Sequence, residues 1–241
     1  MSVLELEIED NFVTEMVLCH DEKFLVCTHQ NGLVTVINAE EMEVVSISAP
    51  FEDVHGAIDS FSNCKKIDLE FVNIFEKLVF ASTQGLFVAM LTAEGEIQVT
   101  EDAYFKGCNV TNAEIIQGEL LICSLNDEEG ISKIMMVDVE NEMTELVIDH
   151  GKAIYTFDIE KMPCSGELNL FILHLSTGLE LVDPNNKKTY NLRMDKNENF
   201  GTCRSVTTCL IDDEDQDRGF WLANIDNTNP FAPEIKVFDF N

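Results

Sequence analysis

The sequence is poor in basic residues, and this shortage restricts the partners it can bind. Only 15 Lys and Arg stand against 45 Asp and Glu, which leaves a formal net charge of −30. A surface this negative repels phosphate backbones and anionic lipid headgroups, so the composition disfavours direct binding to nucleic acid or membranes. The same field attracts basic partners and accelerates their encounter, although acidity can also serve solubility alone.

Signatures of metal sites, catalysis and secretion are also missing. The eight cysteines form no CxxC pair, and the five histidines are scattered. There is no GxSxG elbow, phosphate-binding Gly-Lys loop, HExxH motif or dinucleotide fingerprint. The start, MSVLELEIED, lacks the basic and apolar regions of a secretory signal, and no apolar run is long enough to span a membrane. We therefore expect a cytoplasmic or nuclear protein that is not an enzyme and holds no metal or cofactor.

A weak internal repeat organises the chain, of which 45% is hydrophobic. Each unit is an apolar run, a polar loop, a second apolar run, a tight turn, a third run ending near Asp or Asn, and a fourth, more polar run. Gly32, Gly85, Gly130 and Gly178 stand between the second and third runs. Their spacing overlaps the ~40–50 residue period of four-stranded propeller blades. Helical periodicity is nowhere sustained, so the chain is predicted to be all-β.

The repeat predicts a single domain that forms a five-bladed β-propeller. The blades are expected at residues 11–50, 58–102, 109–149, 153–195 and 204–241. The fifth unit contains only three runs, whereas an extra run, residues 3–8 (VLELEI), precedes the first unit. We expect this N-terminal segment to complete the last blade and close the ring, because closure satisfies backbone groups that an open sheet edge leaves unpaired.

The third run of the units resembles the third strand of the WD-repeat family. The shared pattern is a turn glycine, alternating apolar residues, and then Asp or Asn. It occurs at 32–38 (GLVTVIN), 130–138 (GISKIMMVD) and 178–183 (GLELVD), and without the glycine at 235–240 (IKVFDF). The resemblance extends over the whole chain and implies a β-propeller that serves as an interaction scaffold. No unit carries the family's Gly-His pair or Trp-Asp dipeptide, so the family's blade-stabilising side-chain network is not expected here.

Two acidic runs are candidate partner-binding sites for Lys/Arg-rich segments. We expect the first in a hairpin loop on one rim of the ring, and the second in a first-to-second strand loop on the opposite rim. Solvated loops are the alternative interpretation, and the second run lacks the Gly and Glu spacing of a calcium loop. The residues are Asp127, Glu128 and Glu129 in the first run and Asp212, Asp213, Glu214, Asp215 and Asp217 in the second.

Aromatic residues in loops are a further candidate surface. Phe231 lies between Pro230 and Pro233, which stiffen its loop and lower the entropy cost of presenting it to a partner. Aromatic residues are also suited to filling the seams between blades, and this is the role we favour for the loop aromatics. The other loop aromatics are Phe51, Tyr104, Phe105 and Phe200.

These features favour a non-enzymatic scaffold, a subunit or escort of a larger complex that binds a basic partner through an acidic propeller surface. One alternative is a glycosidase-like five-bladed hydrolase, which uses paired carboxylates from successive first strands in the central channel. Another is an architectural subunit that is buried in an assembly through apolar surface. The candidate channel carboxylates are Glu15, Asp68, Glu70, Glu114 and Asp158.

Overall fold

A computed structural model describes most of the chain. The described residues are 12–67, 75–116, 120–126, 131–149, 151, 153–161, 169–175, 178–183, 188–191, 203–211, 219–226 and 234–240. Side chains are described for 12–67, 75–116, 124–126 and 131–149, and at a few positions further on.

Strands make up almost all of the regular structure in these residues. In chain order they are β1 (Val13–Cys19), β2 (Phe24–His29), β3 (Val34–Asn38), β4 (Glu43–Ser48), β5 (Phe61–Ile67), β6 (Phe75–Ser82), β7 (Gly85–Thr92), β8 (Ile97–Tyr104), β9 (Asn109–Ile116), β10 (Leu120–Asn126), β11 (Ser132–Asp138), β12 (Met143–Asp149), β13 (Ile154–Lys161), β14 (Asn169–Leu175), β15 (Gly178–Asp183), β16 (Lys188–Asn191), β17 (Cys203–Ile211), β18 (Gly219–Asp226) and β19 (Glu234–Phe240). One short helix, α1 (Glu52–His55), lies between β4 and β5.

The strands form five sheets, in each of which every strand pairs with the next along the chain. The first four sheets are β1–β4, β5–β8, β9–β12 and β13–β16, and the fifth is β17–β19. The all-β prediction is confirmed, and the order of apolar runs in the sequence is the order of the strands. The third strands β3, β11 and β15 end at Asn38, Asp138 and Asp183, as the repeat predicts.

A register shift near the start of the first strand repeats in every sheet. The shifts fall at positions 13–15, 61–63, 110–112, 154–156 and 203–206. In the first three sheets the extra residue is Thr14, Ser62 or Thr111. Thr14 Oγ1 lies 2.8 Å from Thr28 Oγ1, Ser62 Oγ donates to the Val110 carbonyl at 2.8 Å, and Thr111 is hydrogen-bonded to Ser124. A bulge bends its strand, so these sheets share one local geometry.

Glycine supplies the tight turn between the second and third strands of the first two sheets. Gly32 has φ +77° and Gly85 has φ +140°, in the region that favours glycine. At Gly32 the chain also passes so close that a Cβ would lie 1.7 Å from the Ile58 carbonyl oxygen. Two of the turn glycines in the sequence are therefore required by backbone conformation, and one of them also by space.

The contacts divide the chain into two units: residues 1–129 with 133–147, and residues 130–132 with 148–241. In the first unit the first strands β1, β5 and β9 lie side by side. One apolar cluster, which includes Phe24, Val36 and Phe80, joins the first and second sheets, and another, which includes Val79 and Val137, joins the second and third. In the second unit, β13 and β17 are in contact.

Candidate functional site

The residues that the sequence singles out for partner binding lie outside the described part of the chain. The first acidic run falls between β10 and β11, the second between β17 and β18, and the aromatic residue between β18 and β19. Their roles remain predictions. They are Asp127, Glu128, Glu129, Asp212, Asp213, Glu214, Asp215, Asp217 and Phe231.

Six exposed acidic side chains lie on turns at one end of the first and second sheets. In an antiparallel meander the first-to-second and third-to-fourth turns lie at the same end of the sheet. The β1–β2 turn, the β3–β4 turn and the β7–β8 turn all carry exposed acids. We call this set the acidic rim; it comprises Asp21, Glu22, Glu40, Glu41, Glu94 and Glu96. The β11–β12 turn of the third sheet carries exposed Glu140 and Glu142 at the equivalent end of that sheet.

A side chain at the end of each third strand holds the acidic turn in place. The Asn38 Oδ1 oxygen accepts the backbone N–H groups of Glu40 and Glu41, both at 3.1 Å. In the second sheet Thr92 Oγ1 accepts the N–H groups of Glu94 and Glu96 at 3.3 and 3.1 Å. These bonds are the local turns that short polar side chains favour.

The third sheet repeats this capped turn with an aspartate. Asp138 Oδ1 accepts the N–H groups of Glu140 and Asn141 at 3.1 and 2.9 Å, and the Asn141 side-chain amide donates to Oδ2 at 2.8 Å. The amide and backbone bonds from Asn141 lower the pKa of the Asp138 carboxyl. Asn38 and Asp138, which end the third-strand pattern shared with the WD-repeat family, thus cap the turns that follow them.

Contacts between the first two sheets bring their acidic turns together. From the β1–β2 turn, His20 Nε2 donates to the Leu91 carbonyl at 3.0 Å and Lys23 Nζ donates to the Ala93 carbonyl at 2.9 Å. The Phe24 ring lies so close to Gly95 that a Cβ there would be 2.9 Å from a ring carbon. The two sheets therefore present their acidic turns as neighbours.

A charged cluster crosses the three neighbouring first strands. Lys65 Nζ of β5 lies 3.8 Å from Glu15 Oε2 of β1 and 3.3 Å from Glu114 Oε1 of β9. All three side chains are partly buried, and burial raises the pKa of the Glu114 carboxyl despite the opposing charge of Lys65. In a glycosidase the space between paired carboxylates receives the substrate. In this cluster the Lys65 ammonium lies between them.

The remaining candidate channel carboxylates are not placed by side-chain contacts. Asp68 and Glu70 lie outside the described residues. Asp158 lies in β13, where it pairs in register with Ile172 of β14, but its side chain is not described.

Two buried asparagines join β5 to β9, a contact that no sequence pattern predicts. The Asn63 side-chain amide donates to Asn112 Oδ1 at 2.6 Å and to the Ala113 carbonyl at 2.9 Å. Asn63 Oδ1 is buried without a hydrogen-bond partner. The amide thus bridges the two sheets.

The described histidine side chains make structural hydrogen bonds. His29 is buried; its Nε2 lies 2.8 Å from Thr35 Oγ1 and its Nδ1 has no partner. Burial lowers the pKa of His29. His55 Nε2 donates to the Thr100 carbonyl at 2.8 Å. Among the residues with described side chains, no three His, Cys, Asp or Glu residues form a group that could hold a metal ion.

Buried cysteines in this protein are poor nucleophiles. Cys19, Cys27 and Cys64 are free thiols in the strands, and all three are buried. Burial, with the nearby Glu76 carboxylate, raises the pKa of the Cys19 thiol to about 12. Burial also raises the pKa of Cys27 and Cys64. Because the thiolate is the reactive form, these cysteines act as small apolar residues.

The loop aromatic Phe51 plugs a seam, as predicted. It is 1% exposed, and its ring centroid lies 5.0 Å from that of Phe80, 5.6 Å from that of Phe87 and 5.8 Å from that of Phe61. Two further loop aromatics, Tyr104 and Phe105, are partly buried against the cluster between the second and third sheets. Phe200 lies outside the described residues.

Comparison with known proteins supports the fold and gives no family. No family model matches the chain, and no curated protein matches it. The chain is similar to a crystal structure of a mitotic checkpoint complex, at 14% identity and a TM-score of 0.54, over 99% of this chain and 69% of that chain. A crystal structure of the computationally designed Ika4 protein matches at 11% identity and a TM-score of 0.47, over 76% of this chain and 98% of that chain.

The match to the checkpoint complex shows a likeness of fold alone. This likeness supports a propeller-like fold built of antiparallel sheets. In total 744 chains of solved structures match, so the likeness does not single out an activity. Within the described residues, no helix is both long and apolar enough to cross a membrane.

Proposed function

We propose that the protein is a non-enzymatic interaction scaffold that binds a basic partner protein through the acidic rim. The observation that carries this proposal is the placement of exposed acids on neighbouring turns of two packed sheets. A propeller-like fold supports a scaffold role, because such folds present many loops on a rigid framework. The formal net charge of −30 supports a positively charged partner.

The geometry of the acidic rim favours an electrostatic encounter with Lys and Arg side chains. Charges on adjacent turns act together over distances comparable to the Debye length of about 8 Å at physiological ionic strength. Caps from Asn38 and Thr92 hold two of the turns, so less conformational entropy is lost when a partner binds. Lys23, whose ammonium donates to the Ala93 carbonyl, is the only Lys or Arg on these three turns, so the six rim acids outnumber the bases.

We also propose that the scaffold is a five-bladed ring, closed by residues 3–8 pairing with the last sheet. The first sheet supports this proposal. The residues of β2 and β3 that face the second sheet are apolar. Cys27, His29 and Thr35 lie on the opposite face of the first sheet, and they are buried as well. A closing blade on that side would cover them, and would remove the open sheet edges that favour aggregation.

A cytoplasmic or nuclear location fits this function. The four cysteines with described side chains, Cys19, Cys27, Cys64 and Cys108, are free thiols, as is usual in a reducing compartment. Basic nuclear or ribosomal cargoes match the required charge; the particular partner is left to experiment.

The test is affinity capture from a native extract at increasing salt, using matched charge-reversal variants. Glu40→Lys with Glu41→Lys reverses rim charge, whereas Glu145→Lys with Asp149→Lys makes the same change in net charge on exposed residues of β12. We expect Lys/Arg-rich partners whose capture falls with salt, falls at least tenfold in the rim variant and persists in the β12 variant. Capture that is insensitive to salt, or equal loss in both variants, would refute the proposal.

A further inference from the structure

The outer strand of the first sheet, β4, differs from β8 and β12, the outer strands of the second and third sheets. β4 is the last strand of the first sheet and pairs with β3. Its side chains Val44, Val45 and Ile47 are 38%, 43% and 46% exposed. No charged residue occurs between Glu43 and Glu52. After Glu43 at its start, the strand therefore presents an uncharged, apolar edge to solvent.

The outer strand of the second sheet is covered. Helix α1 packs against β8, and His55 Nε2 donates to the Thr100 carbonyl of that strand. β8 also carries Glu101 and Asp102. Covering and charge are the usual ways in which proteins prevent edge strands from pairing with other chains.

Charge also marks the outer strand of the third sheet. β12 carries exposed Glu145 and Asp149 beside its apolar residues. β4 has neither a cover from α1 nor an internal charge, so its edge is the least protected of the three outer strands. A register shift at Val45 interrupts the ladder with β3, and regular pairing resumes at Ser46. The longest regular stretch of the strand is thus Ser46–Ser48, where we expect an added strand to pair, and exposed Val44 lies beside it.

We propose that β4 accepts an extended, basic segment of a partner protein by strand addition. This inference rests on the proposed function, because the acids beside the strand select the charge of the partner. Glu40 and Glu41 lie beyond one end of β4, and exposed Glu52 and Asp53 lie beyond the other. The fitting segment carries apolar side chains in its middle, which contact Ile47 and its neighbours, and Lys or Arg at both ends.

Charge also argues against a second copy of the chain as the occupant. Antiparallel pairing of two β4 strands would bring Glu41 and Glu43 of one copy toward Glu52 and Asp53 of the other. Like charges that face each other across paired strands are destabilising, and two chains of charge −30 repel at long range.

The experiment uses the full chain and a fluorescein-labelled octapeptide, acetyl-Lys-Arg-Val-Thr-Val-Thr-Lys-Arg-amide. Binding is measured by fluorescence anisotropy, and strand pairing by hydrogen exchange at Ser46–Ser48. One control peptide has Glu in place of every Lys and Arg; another keeps the charges but is N-methylated at alternate residues, which removes backbone donors. The protein variants are Ile47→Lys and Val44→Lys, with Met143→Lys on β12 as the matched exposed control.

We expect the basic peptide to bind and to slow exchange at residues 46–48. Affinity should fall at least tenfold with Ile47→Lys, with Val44→Lys and with the N-methylated peptide, and stay unchanged with Met143→Lys. Circular dichroism should show that all variants fold, since the three substituted side chains are exposed.

Several outcomes would overturn the strand-addition proposal. If the N-methylated peptide binds equally well and only Glu40→Lys with Glu41→Lys removes binding, the rim acts by charge alone and the proposed function survives. Concentration-dependent dimers that Ile47→Lys dissociates would assign the edge to a second copy. If residues 46–48 are already protected from exchange in the free monomer, and deleting residues 1–11 removes that protection, the β4 edge pairs with the chain's own N-terminal segment. Absence of peptide binding would also reject strand addition, while the capture test decides the proposed function separately.

Discussion

Replacing Phe51 by alanine should destabilise the protein far more than the same replacement at Phe12. Phe51 is 1% exposed in the seam between the first two sheets, whereas Phe12 is 73% exposed at the start of β1. The two substitutions delete the same atoms, so any difference in the free energy of unfolding reports the surroundings of the ring.

The structure sets the expected magnitude. The Phe51 ring contacts three other phenylalanine rings at centroid distances of 5.0 to 5.8 Å, two of them edge-to-face. Deleting a fully buried Phe ring costs about 3–5 kcal/mol, since the transfer free energy is lost and a cavity remains. Truncating an exposed side chain changes stability by roughly 0.5 kcal/mol or less. We therefore expect a difference of about 3 kcal/mol or more between the two variants.

Urea unfolding followed by circular dichroism measures both variants, and the slope m should stay constant within each comparison. Partner capture by each variant supplies a second readout. If Phe51→Ala is less than about 1 kcal/mol less stable than Phe12→Ala, the ring does not fill a packed seam. If it also abolishes partner capture without destabilising the protein, Phe51 is a binding residue and the plug interpretation is wrong.

Three further perturbations test the fold. Gly32→Ala should cost at least about 2 kcal/mol more than Gly56→Ala, because only the first places a Cβ against the Ile58 carbonyl while both have positive φ; equal midpoints in urea would contradict this. Burial lowers the pKa of His29, so the unfolded chain takes up a proton below about pH 6.5 while the folded protein does not. Stability should therefore fall as the pH drops, by up to about 1.4 kcal/mol per pH unit, and His29→Gln should remove that part of the slope; identical profiles would reject it. Deleting residues 1–11 should lower the melting temperature by about 10 °C if several apolar side chains of this segment close the ring, and an unchanged melting temperature would refute closure.

Much of the fold could be predicted because its signals are local. Alternating apolar residues indicate strands, and Gly32 and Gly85 mark turns that need positive φ. The bulges in the first strands could not be predicted in the same way. Thr14, Ser62 and Thr111 fit an ordinary strand, and their shared hydroxyl gains meaning only when the register is known.

The charge of the candidate partner could be predicted from composition, and the longest acidic runs were the predicted sites. Those runs lie outside the described residues, so their role stays a prediction. The acidic rim is a further surface, formed by short turns such as Glu40–Glu41 and Glu94–Glu96, none of which is a long acidic run. A signal was present in the sequence, because each of these turns directly follows the residue at the end of a third strand.

The amino-acid sequence alone determined the strand order, the turn glycines and the sign of the net charge, because these depend on neighbouring residues or on totals. Only the tertiary structure decided that Lys65 lies between Glu15 and Glu114, that His20 and Lys23 join two acidic turns, and that α1 packs against β8. Such contacts join residues that are far apart in the chain: His20 and Leu91 are separated by 71 residues, and Lys23 and Ala93 by 70. They depend on how one sheet packs on the next, and no local pattern of residue types encodes that packing.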